Sequence, residues 1–287
     1  MLLDSIAKSS PRLCFLDAGN SRVKAMRCTA HKTFYPGGKR GFEFVDLEFA
    51  EVLAPESYLS LLPPETTAFV ASVRSENYGD AARHLRIYQI RVPSVSASLT
   101  PAYKKLDDLG VDRWLAMMAA RAACPRKLGA SGEQGGEVVL VIDFGTALTA
   151  DLIQLKSVGP DQHLGGWILP GAKLQYQAIN QTGRIRMPED AHLQAFEGIG
   201  TSTESCVRSA VHLAEEGFLR AVIEYARLHS SDLRIIGTGG GLNLVMLKQL
   251  CEQVCQGLST QCAYRPHLVL EGIQQALSCD EDAFATL

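Results

Sequence analysis

Two apolar runs of this chain end in the same kind of turn. Residues 13–16 lead into Asp-Ala-Gly-Asn, and residues 138–142 lead into Asp-Phe-Gly-Thr. Strand-like sequence resumes after each turn, over 21–28 and 147–154. Each turn is therefore interpreted as the tip of a β-hairpin and not as a strand-to-helix crossover.

The rest of the pattern predicts strands and helices in both halves of the chain. Further strands are predicted over 42–47, 68–73 and 233–237, a turn over 165–171, and helices over 55–62, 77–88, 112–124, 172–182, 204–229 and 242–255. The first elements follow the order βββαβα, which can close a domain near residue 105. We therefore divide the chain into residues 1–108, which carry the first turn, and residues 109–287, which carry the second.

The predicted helix over 112–124 is apolar on every side. Its central residues follow one another without a polar side chain: Leu115, Ala116, Met117, Met118, Ala119 and Ala120. A helix that is apolar all round must be buried all round. The burial can come from its own domain or in part from a second subunit, and both explanations stay open at this point.

The chemistry of the two turns favours nucleotide binding. A carboxylate at the end of a buried strand can hold a metal ion, and the following glycine lets the backbone approach a phosphate. A single Asp-x-Gly turn more often has no binding role, whereas two such turns indicate two similar halves facing one nucleotide. The loops G-x-x-x-x-G-K-[ST] and G-x-G-x-x-G do not occur at these turns. Residues 238–241, Thr-Gly-Gly-Gly before a predicted helix, are a third candidate phosphate loop or a simple strand–helix turn.

Composition limits the expected partners and location. The chain has 287 residues, of which 46% are hydrophobic and 21% charged, with a net charge of −3 and no basic run suited to nucleic acid. Its eight cysteines form no C-x-x-C pair, so zinc is not expected and a reducing cytoplasm is favoured. No apolar stretch suits a signal peptide or a membrane span, so no membrane association is predicted.

Four segments together resemble one protein family. They are Asp17–Lys24, Gly110–Trp114, Val141–Thr149 and Gly165–Gly171, and the match runs in order from about residue 13 to 275. The chain resembles the type III pantothenate kinases of the actin/hexokinase/Hsp70-type ATPase superfamily. Gly241 departs from the pattern, because many members have an acidic residue there.

The resemblance implies an α/β fold of two ribonuclease-H-like (actin-like ATPase) domains with an interdomain nucleotide cleft. It implies an enzyme that phosphorylates pantothenate with ATP to 4′-phosphopantothenate, the first step of coenzyme A biosynthesis. The family's pantothenate site lies at a subunit interface, so a homodimer is expected. Two alternatives stay open: a kinase of another small hydroxyl substrate, and a non-catalytic regulator, which the presence of Asp17, Asp112 and Asp143 disfavours.

The resemblance assigns Asp112 as the catalytic base that accepts the proton of the pantothenate hydroxyl. The alternative is a carboxylate at a helix N-terminus without a chemical role. The residues assigned to pantothenate are Tyr103, Gly110, Val111, Asp112, Arg113 and Thr203. For Arg113 the alternative is a surface ion pair, and for Thr203 it is capping of the following helix.

The resemblance also assigns the ATP and cation contacts. The first phosphate loop consists of Asp17, Ala18, Gly19, Asn20, Ser21, Arg22, Val23 and Lys24. Thr146 is expected to touch ATP. Asp17 is expected to orient Mg²⁺ through water, because Mg²⁺ keeps most of its hydration. Asp143 is expected to bind a monovalent cation, K⁺ or NH₄⁺, that neutralises charge near the phosphates.

Overall fold

A computed structural model describes residues 12–19, 23–34, 40–52, 54–72, 78, 83–94, 96–124, 137–188, 191, 198–241, 244–255, 259–279 and 281–286. In chain order the elements are β1 (Arg12–Ala18), β2 (Val23–Phe34), β3 (Arg40–Val52), α1 (Pro55–Leu59), β4 (Thr67–Ser72), β5 (Arg86–Ile90), β6 (Leu99–Thr100), α2 (Val111–Ala122), β7 (Val138–Phe144), β8 (Ala147–Gln154), β9 (Asp161–Pro170), α3 (Ala172–Asn180), α4 (Thr203–Arg227), β10 (Asp232–Thr238), α5 (Leu244–Val254), β11 (Ser259–Tyr264), α6 (Leu268–Cys279) and β12 (Phe284–Thr286).

The chain divides into two units. The first comprises Met1–Arg126, Val158–His163 and His267–Leu287, and the second comprises Lys127–Ser157 and Leu164–Pro266. This division differs from the boundary predicted at residue 108, and it places α2 with Asp112 in the first unit. The physical reason is that elements from the end of the chain complete the first unit: β12 pairs with β5, and α6 packs on α2.

The sheet of the first unit has the order β12-β5-β4-β1-β2-β3. β1 runs antiparallel to β2, which runs antiparallel to β3, and on its other side β1 is parallel to β4. The central strands are apolar along nearly their whole length because they are covered on both faces. On one face Leu16 and Val70 pack with Leu59 of α1, and on the other the rings of Phe15 and Phe69 lie 5.7 Å apart.

The helices α2 and α6 pack closely against each other in the first unit. A Cβ added at Gly272 of α6 would lie 2.1 Å from the carbonyl oxygen of Leu115 in α2. The run from Leu115 to Ala120 is buried, with at most 3% of any of these residues exposed. The predicted buried helix is therefore confirmed. Its burial is complete within a single chain, so the apolar sequence of α2 gives no argument for a second subunit.

The second unit repeats the strand order of the first. Its strands follow the order β11-β10-β7-β8-β9, and β6 pairs with the beginning of β9 at the edge of the same sheet. β7 is antiparallel to β8 and parallel to β10, which is parallel to β11. In both units the first strand has its hairpin partner on one side and a parallel strand on the other. This repeated order is that of the ribonuclease-H-like fold, and it confirms the predicted fold class. The inner side of α4 and α5 covers one face, where Leu140, Ile223 and Leu247 are fully buried.

Two predicted elements are wrong. The second half of the helix predicted over 77–88 is a turn followed by strand β5, and its proposed face residue Tyr88 pairs with Phe69 of β4. Residues 77 and 79–82, including Ala81, lie outside the described residues. The turn predicted over 165–171 is mostly the second half of β9, in spite of its glycines and proline. Both errors have one cause, since pairing with a neighbouring strand outweighs local spacing and turn propensity.

Among the described residues, no helix combines the length and the apolar character needed to cross a bilayer.

Candidate active site

Asp17 lies one residue before the end of β1, beside the hairpin turn. In the antiparallel pair of β1 and β2 it stands opposite Lys24, and Ala18 stands opposite Val23. Ala18 and Val23 are buried, whereas Asp17 and Gly19 are partly exposed. The predicted hairpin is confirmed by this register. Asn20, Ser21 and Arg22 of the predicted phosphate loop lie outside the described residues.

Asp112 is the second residue of α2. Its carboxylate oxygen Oδ1 accepts a hydrogen bond from the backbone N–H of Arg113 at 2.8 Å. The preceding Gly110 is the N-cap and provides no side chain to the helix start. A Cβ on Gly110 would lie 2.5 Å from the same Oδ1, so the carboxylate occupies the space that a side chain would fill. The positive end of the helix dipole favours the ionised form of this carboxylate.

Arg113 is buried despite its charge, with 7% of the residue exposed. Its Nη1 donates a hydrogen bond to the hydroxyl oxygen of Tyr103 at 2.8 Å. The guanidinium carbon lies 5.6 Å from the centre of the Tyr103 ring. The alternative of a surface ion pair is therefore wrong for Arg113. Two residues assigned to one substrate from separate sequence segments, Tyr103 and Arg113, are in direct contact.

Two buried polar residues of β9 were not singled out from the sequence. His163 has no exposed surface, and its ring stacks on that of Tyr103 with centres 6.0 Å apart. Asp161 is 1% exposed and forms an ion pair of 2.6 Å with Arg121 of α2. The available signal was their spacing, because residues two apart in a strand lie on the same face.

In the second unit Asp143 lies one residue before the end of the central strand β7. It stands opposite Thr149 of β8 on one side and Thr238 of β10 on the other. The glycine loop that follows β10 packs directly on it. Gly239 has a φ of +90°, and a Cβ there would lie 2.4 Å from Oδ1 of Asp143 and 2.6 Å from the carbonyl oxygen of Phe144. The third candidate loop is therefore placed at the second Asp-x-Gly turn.

Thr146 lies in the turn between β7 and β8, and its backbone is covered by Gly171. The N–H of Gly171 donates to the Thr146 carbonyl oxygen at 3.1 Å, and a Cβ on Gly171 would lie 2.8 Å from that oxygen. Beyond Gly171, Glu215 of α4 accepts a hydrogen bond from the N–H of Ala172 at 2.9 Å, at the start of α3. Burial raises the pKa of Glu215, and the Ala172 N–H opposes this shift.

Thr203 is exposed and is the first residue of α4. The cap of this helix is Ser202, whose side-chain oxygen accepts a hydrogen bond from the N–H of Ser205 at 3.1 Å. The alternative that Thr203 caps the helix is therefore wrong. Its hydroxyl is not used for capping, and it stays a predicted substrate contact.

The sequence model of the type III pantothenate kinase family matches residues 13–225. The chain belongs to the type III pantothenate kinase family. A type III pantothenate kinase of Teredinibacter turnerae is 31% identical over 268 residues, which cover 90% of this chain and 95% of that protein. One of Halorhodospira halophila is 29% identical over 274 residues, covering 90% and 94%. The PilM–PilN pilus biogenesis complex contains a chain with a TM-score of 0.49 and 14% identity, covering 93% of this chain and 98% of the other.

Membership of the type III pantothenate kinase family confirms the predicted family and the predicted class of enzyme, a kinase with ATP as co-substrate. The match spans both Asp-x-Gly turns and the Gly110–Trp114 segment, so the aspartates discussed above lie within it. The individual site residues stay predictions.

The two aspartates at strand ends have surroundings that fit cations. Oδ1 of Asp143 and the carbonyl oxygen of Phe144 both lie against the same side of Gly239, and such hard oxygen donors suit K⁺. Asp17 offers a partly exposed carboxylate, which fits Mg²⁺ held mainly by water and phosphate. Within the described ranges, no group of three or more His, Cys, Asp or Glu side chains is arranged for a metal ion.

Proposed function

We propose that Asp112 is the general base of this kinase. The reaction is the ATP-dependent phosphorylation of pantothenate to 4′-phosphopantothenate, the first step of coenzyme A biosynthesis, which family membership assigns to the chain. The single observation that carries the residue assignment is the group formed by Asp112, Arg113 and Tyr103 at the start of α2. The anionic carboxylate of Asp112 can accept the proton of an uncharged substrate hydroxyl. The buried Arg113 guanidinium and the Tyr103 phenol can bind a carboxylate on the same substrate.

The proton balance requires a base next to the substrate hydroxyl. As the hydroxyl oxygen attacks the γ-phosphorus, its proton moves to the carboxylate of Asp112, and ADP leaves. Oδ1 is already held by the N–H of Arg113, which fixes the direction of the carboxylate. The backbone of Gly110 and Val111, at the same helix start, is proposed to border the substrate. The side chain of Val111 is buried.

Arg113 and Tyr103 are proposed to hold the polar end of pantothenate. The Tyr103 hydroxyl accepts a hydrogen bond from Arg113, so its own proton can be donated to a bound molecule. Arg113 supplies positive charge either to the substrate carboxylate or to the transferred phosphoryl group. Thr203 is proposed as a further hydroxyl donor to pantothenate.

The phosphates of ATP are assigned to the two hairpin turns. In the first, Asp17 is proposed to orient Mg²⁺ through water, Lys24 to supply positive charge, and residues 18–23 to present the loop backbone. In the second, Thr146 is proposed to contact ATP and Asp143 to hold K⁺ or NH₄⁺. Mg²⁺ and the monovalent cation neutralise phosphate charge when bound.

The chain is further proposed to act as a homodimer in the cytoplasm. All eight cysteines are free thiols, which suits a reducing compartment. Burial in the first sheet raises the pKa of both Cys14 and Cys28 to about 12, so these two thiols stay protonated and unreactive at neutral pH.

An ADP-release assay tests the function. Pantothenate should support turnover, whereas acetate, glycerol and a panel of sugars should not. Asp112→Asn keeps the shape of the side chain but removes the base, and it should lower kcat by roughly 10²- to 10⁴-fold. Asp108→Asn, an exposed acidic neighbour just before α2, is the matched control and should keep the wild-type rate. Turnover with another substrate instead of pantothenate contradicts the function, and a normal rate for Asp112→Asn removes Asp112 from the mechanism.

A further inference from the structure

The first unit contains a fully buried histidine, His163, near the start of β9. This part of β9 pairs with β6, with Leu99 opposite Asp161 and Thr100 opposite Gln162. His163 follows one residue later, and its Nδ1 accepts a hydrogen bond from the backbone N–H of Ala102 at 3.3 Å. An accepting Nδ1 carries no proton, so the neutral ring has its proton on Nε2.

The other side of His163 contacts Tyr103. The two rings are nearly parallel, at 12°, with their centres 6.0 Å apart. Tyr103 lies in irregular backbone between β6 and the 3₁₀ turn at Leu106–Asp108, where no strand ladder fixes its position. His163 therefore holds this segment twice, through the N–H of Ala102 and through the face of the Tyr103 ring.

The contact continues from Tyr103 to the start of α2. The Tyr103 hydroxyl accepts from Arg113, and the N–H of Arg113 donates to Asp112. Each link is a direct contact between described side chains or backbone groups of one unit. A shift of the Tyr103 ring therefore displaces the guanidinium of Arg113 first, while Asp112 keeps its hydrogen bond to the backbone.

We propose that His163 is a positioning residue for substrate binding, which acts by fixing the Tyr103 ring and through it the Arg113 guanidinium. The proposal rests on the proposed function, since it takes Tyr103 and Arg113 as contacts of pantothenate. His163 does not touch the substrate and takes no proton from it. Its loss should weaken the binding of pantothenate and leave the binding of ATP unchanged.

A histidine that merely fills the core would behave differently. Removing it would lower the melting temperature and the fraction of active enzyme, which reduces kcat without selectively raising one KM. The neighbouring residue Asp161 provides the matched control. It is equally buried on the same face of β9, but it pairs with Arg121, nine residues after Asp112 in α2.

The test measures kcat and both KM values for His163→Leu, His163→Phe and His163→Asn. His163→Leu removes the ring and the acceptor, and it should raise the KM for pantothenate about 3- to 10-fold, with the KM for ATP within twofold. His163→Phe keeps a ring and His163→Asn keeps an acceptor, so each should restore part of the loss. These two variants also keep the test valid if His163→Leu fails to fold. Asp161→Asn should lower the melting temperature without changing the KM for pantothenate.

A double-mutant cycle with Tyr103→Leu tests whether His163 affects pantothenate binding through Tyr103. If His163 acts through Tyr103, adding His163→Leu to Tyr103→Leu should change the KM for pantothenate by less than twofold. Additive effects, unchanged KM values in all three His163 variants, or an equal rise for ATP would overturn the inference. Wild-type enzyme that shows no pantothenate-dependent ADP release contradicts the proposed function instead, and the two failures are thereby distinguished.

Discussion

A Cβ on Gly110 would lie only 2.5 Å from Oδ1 of Asp112. The φ of Gly110 is −55°, which any residue adopts, so the glycine is needed for space and not for its backbone conformation. The missing side chain lets the Asp112 carboxylate fold back over the helix start and accept the N–H of Arg113. The position of the proposed base thus depends on a neighbour that has no side chain at all.

Gly110→Ala should disable the enzyme without unfolding it. The new methyl group displaces the carboxylate of Asp112, and misplacing a catalytic group by about 1 Å costs on the order of 10²-fold in rate. Steady-state kinetics should show a lower kcat and an unchanged KM for ATP. Gly217→Ala, in the middle of α4 with nothing within 4 Å of the added Cβ, is the control. A Gly110→Ala enzyme as fast as Gly217→Ala would show that the carboxylate position is unimportant.

Activity should depend on a monovalent cation held at Asp143. Turnover in Mg²⁺ with Na⁺ alone should be low and should rise as K⁺ is added. Gly239→Ala should raise the K⁺ concentration for half-maximal activity, because its Cβ would lie 2.4 Å from Oδ1 of Asp143. Gly159→Ala controls for backbone strain, since its φ of +81° is similar but no atom lies within 4 Å of its Cβ. A rate that is flat in K⁺, after thorough removal of NH₄⁺, excludes this site.

The α2–α6 contact should be sensitive to a single methyl group. Gly272→Ala places a Cβ 2.1 Å from the carbonyl oxygen of Leu115, and two packed backbones cannot move apart freely. We expect the free energy of unfolding of the first unit to fall by about 1–3 kcal/mol. Urea unfolding can be followed by the fluorescence of the buried Trp114 in a Trp167→Phe background. If the variant is as stable as its parent, the helices are not packed at this distance.

His267 should make the protein less stable in mild acid. Burial lowers its pKa from 6.5, the charge of Lys24 lowers it further, and Glu271 and Glu51 oppose the shift. As the pH falls below 6.5, the unfolded chain takes up a proton on His267 before the folded chain does. The contribution of neutral His267 to stability is therefore fully present above pH 6.5. It is lost progressively as the pH falls to the pKa of His267 in the folded protein.

His267→Asn should remove part of that pH dependence. The free energy of unfolding, measured in urea at several pH values, should fall more steeply in acid for the wild type than for the variant. Above the pKa of the unfolded histidine the two curves should run parallel, since His267 is then neutral in both states. Parallel curves over the whole range would contradict the assignment of His267 as the titrating group.

The mass in solution tests the proposed homodimer. Light scattering at micromolar concentration should give about twice the chain mass of 31.1 kDa. An active species with the mass of one chain would refute the dimer.

The hairpins and α2 could be predicted because their signals are local. The turns at Asp17 and Asp143 follow apolar runs, and the run from Leu115 has only one stable environment. Strand β5 could not be predicted, because the spacing of Leu85 and Tyr88 also fits a helix. Only the pairing with β4 makes this segment a strand. The same holds for β9, where Gly165 and Gly166 are local turn signals inside a paired strand.

The site was predictable in its residues but not in its contacts. Asp112, Arg113 and Tyr103 were singled out by the family motif, whereas the burial of Arg113 depends on a hydroxyl ten positions away that no local pattern records. His163 was passed over because it does not have the spacing of a metal ligand. Its importance arises only when β9 brings it behind Tyr103.

The first unit is interrupted after Arg126 by the residues of the second unit, and its last segment begins only at His267. During translation, α6 and β12 therefore leave the ribosome after the elements of the second unit. Until they emerge, β5 presents an unpaired edge and α2 lacks its partner helix, while β7 to β11 have already been released. We expect the second unit to fold before the first, with the segment that carries Asp112 becoming rigid only after α6 and β12 have emerged.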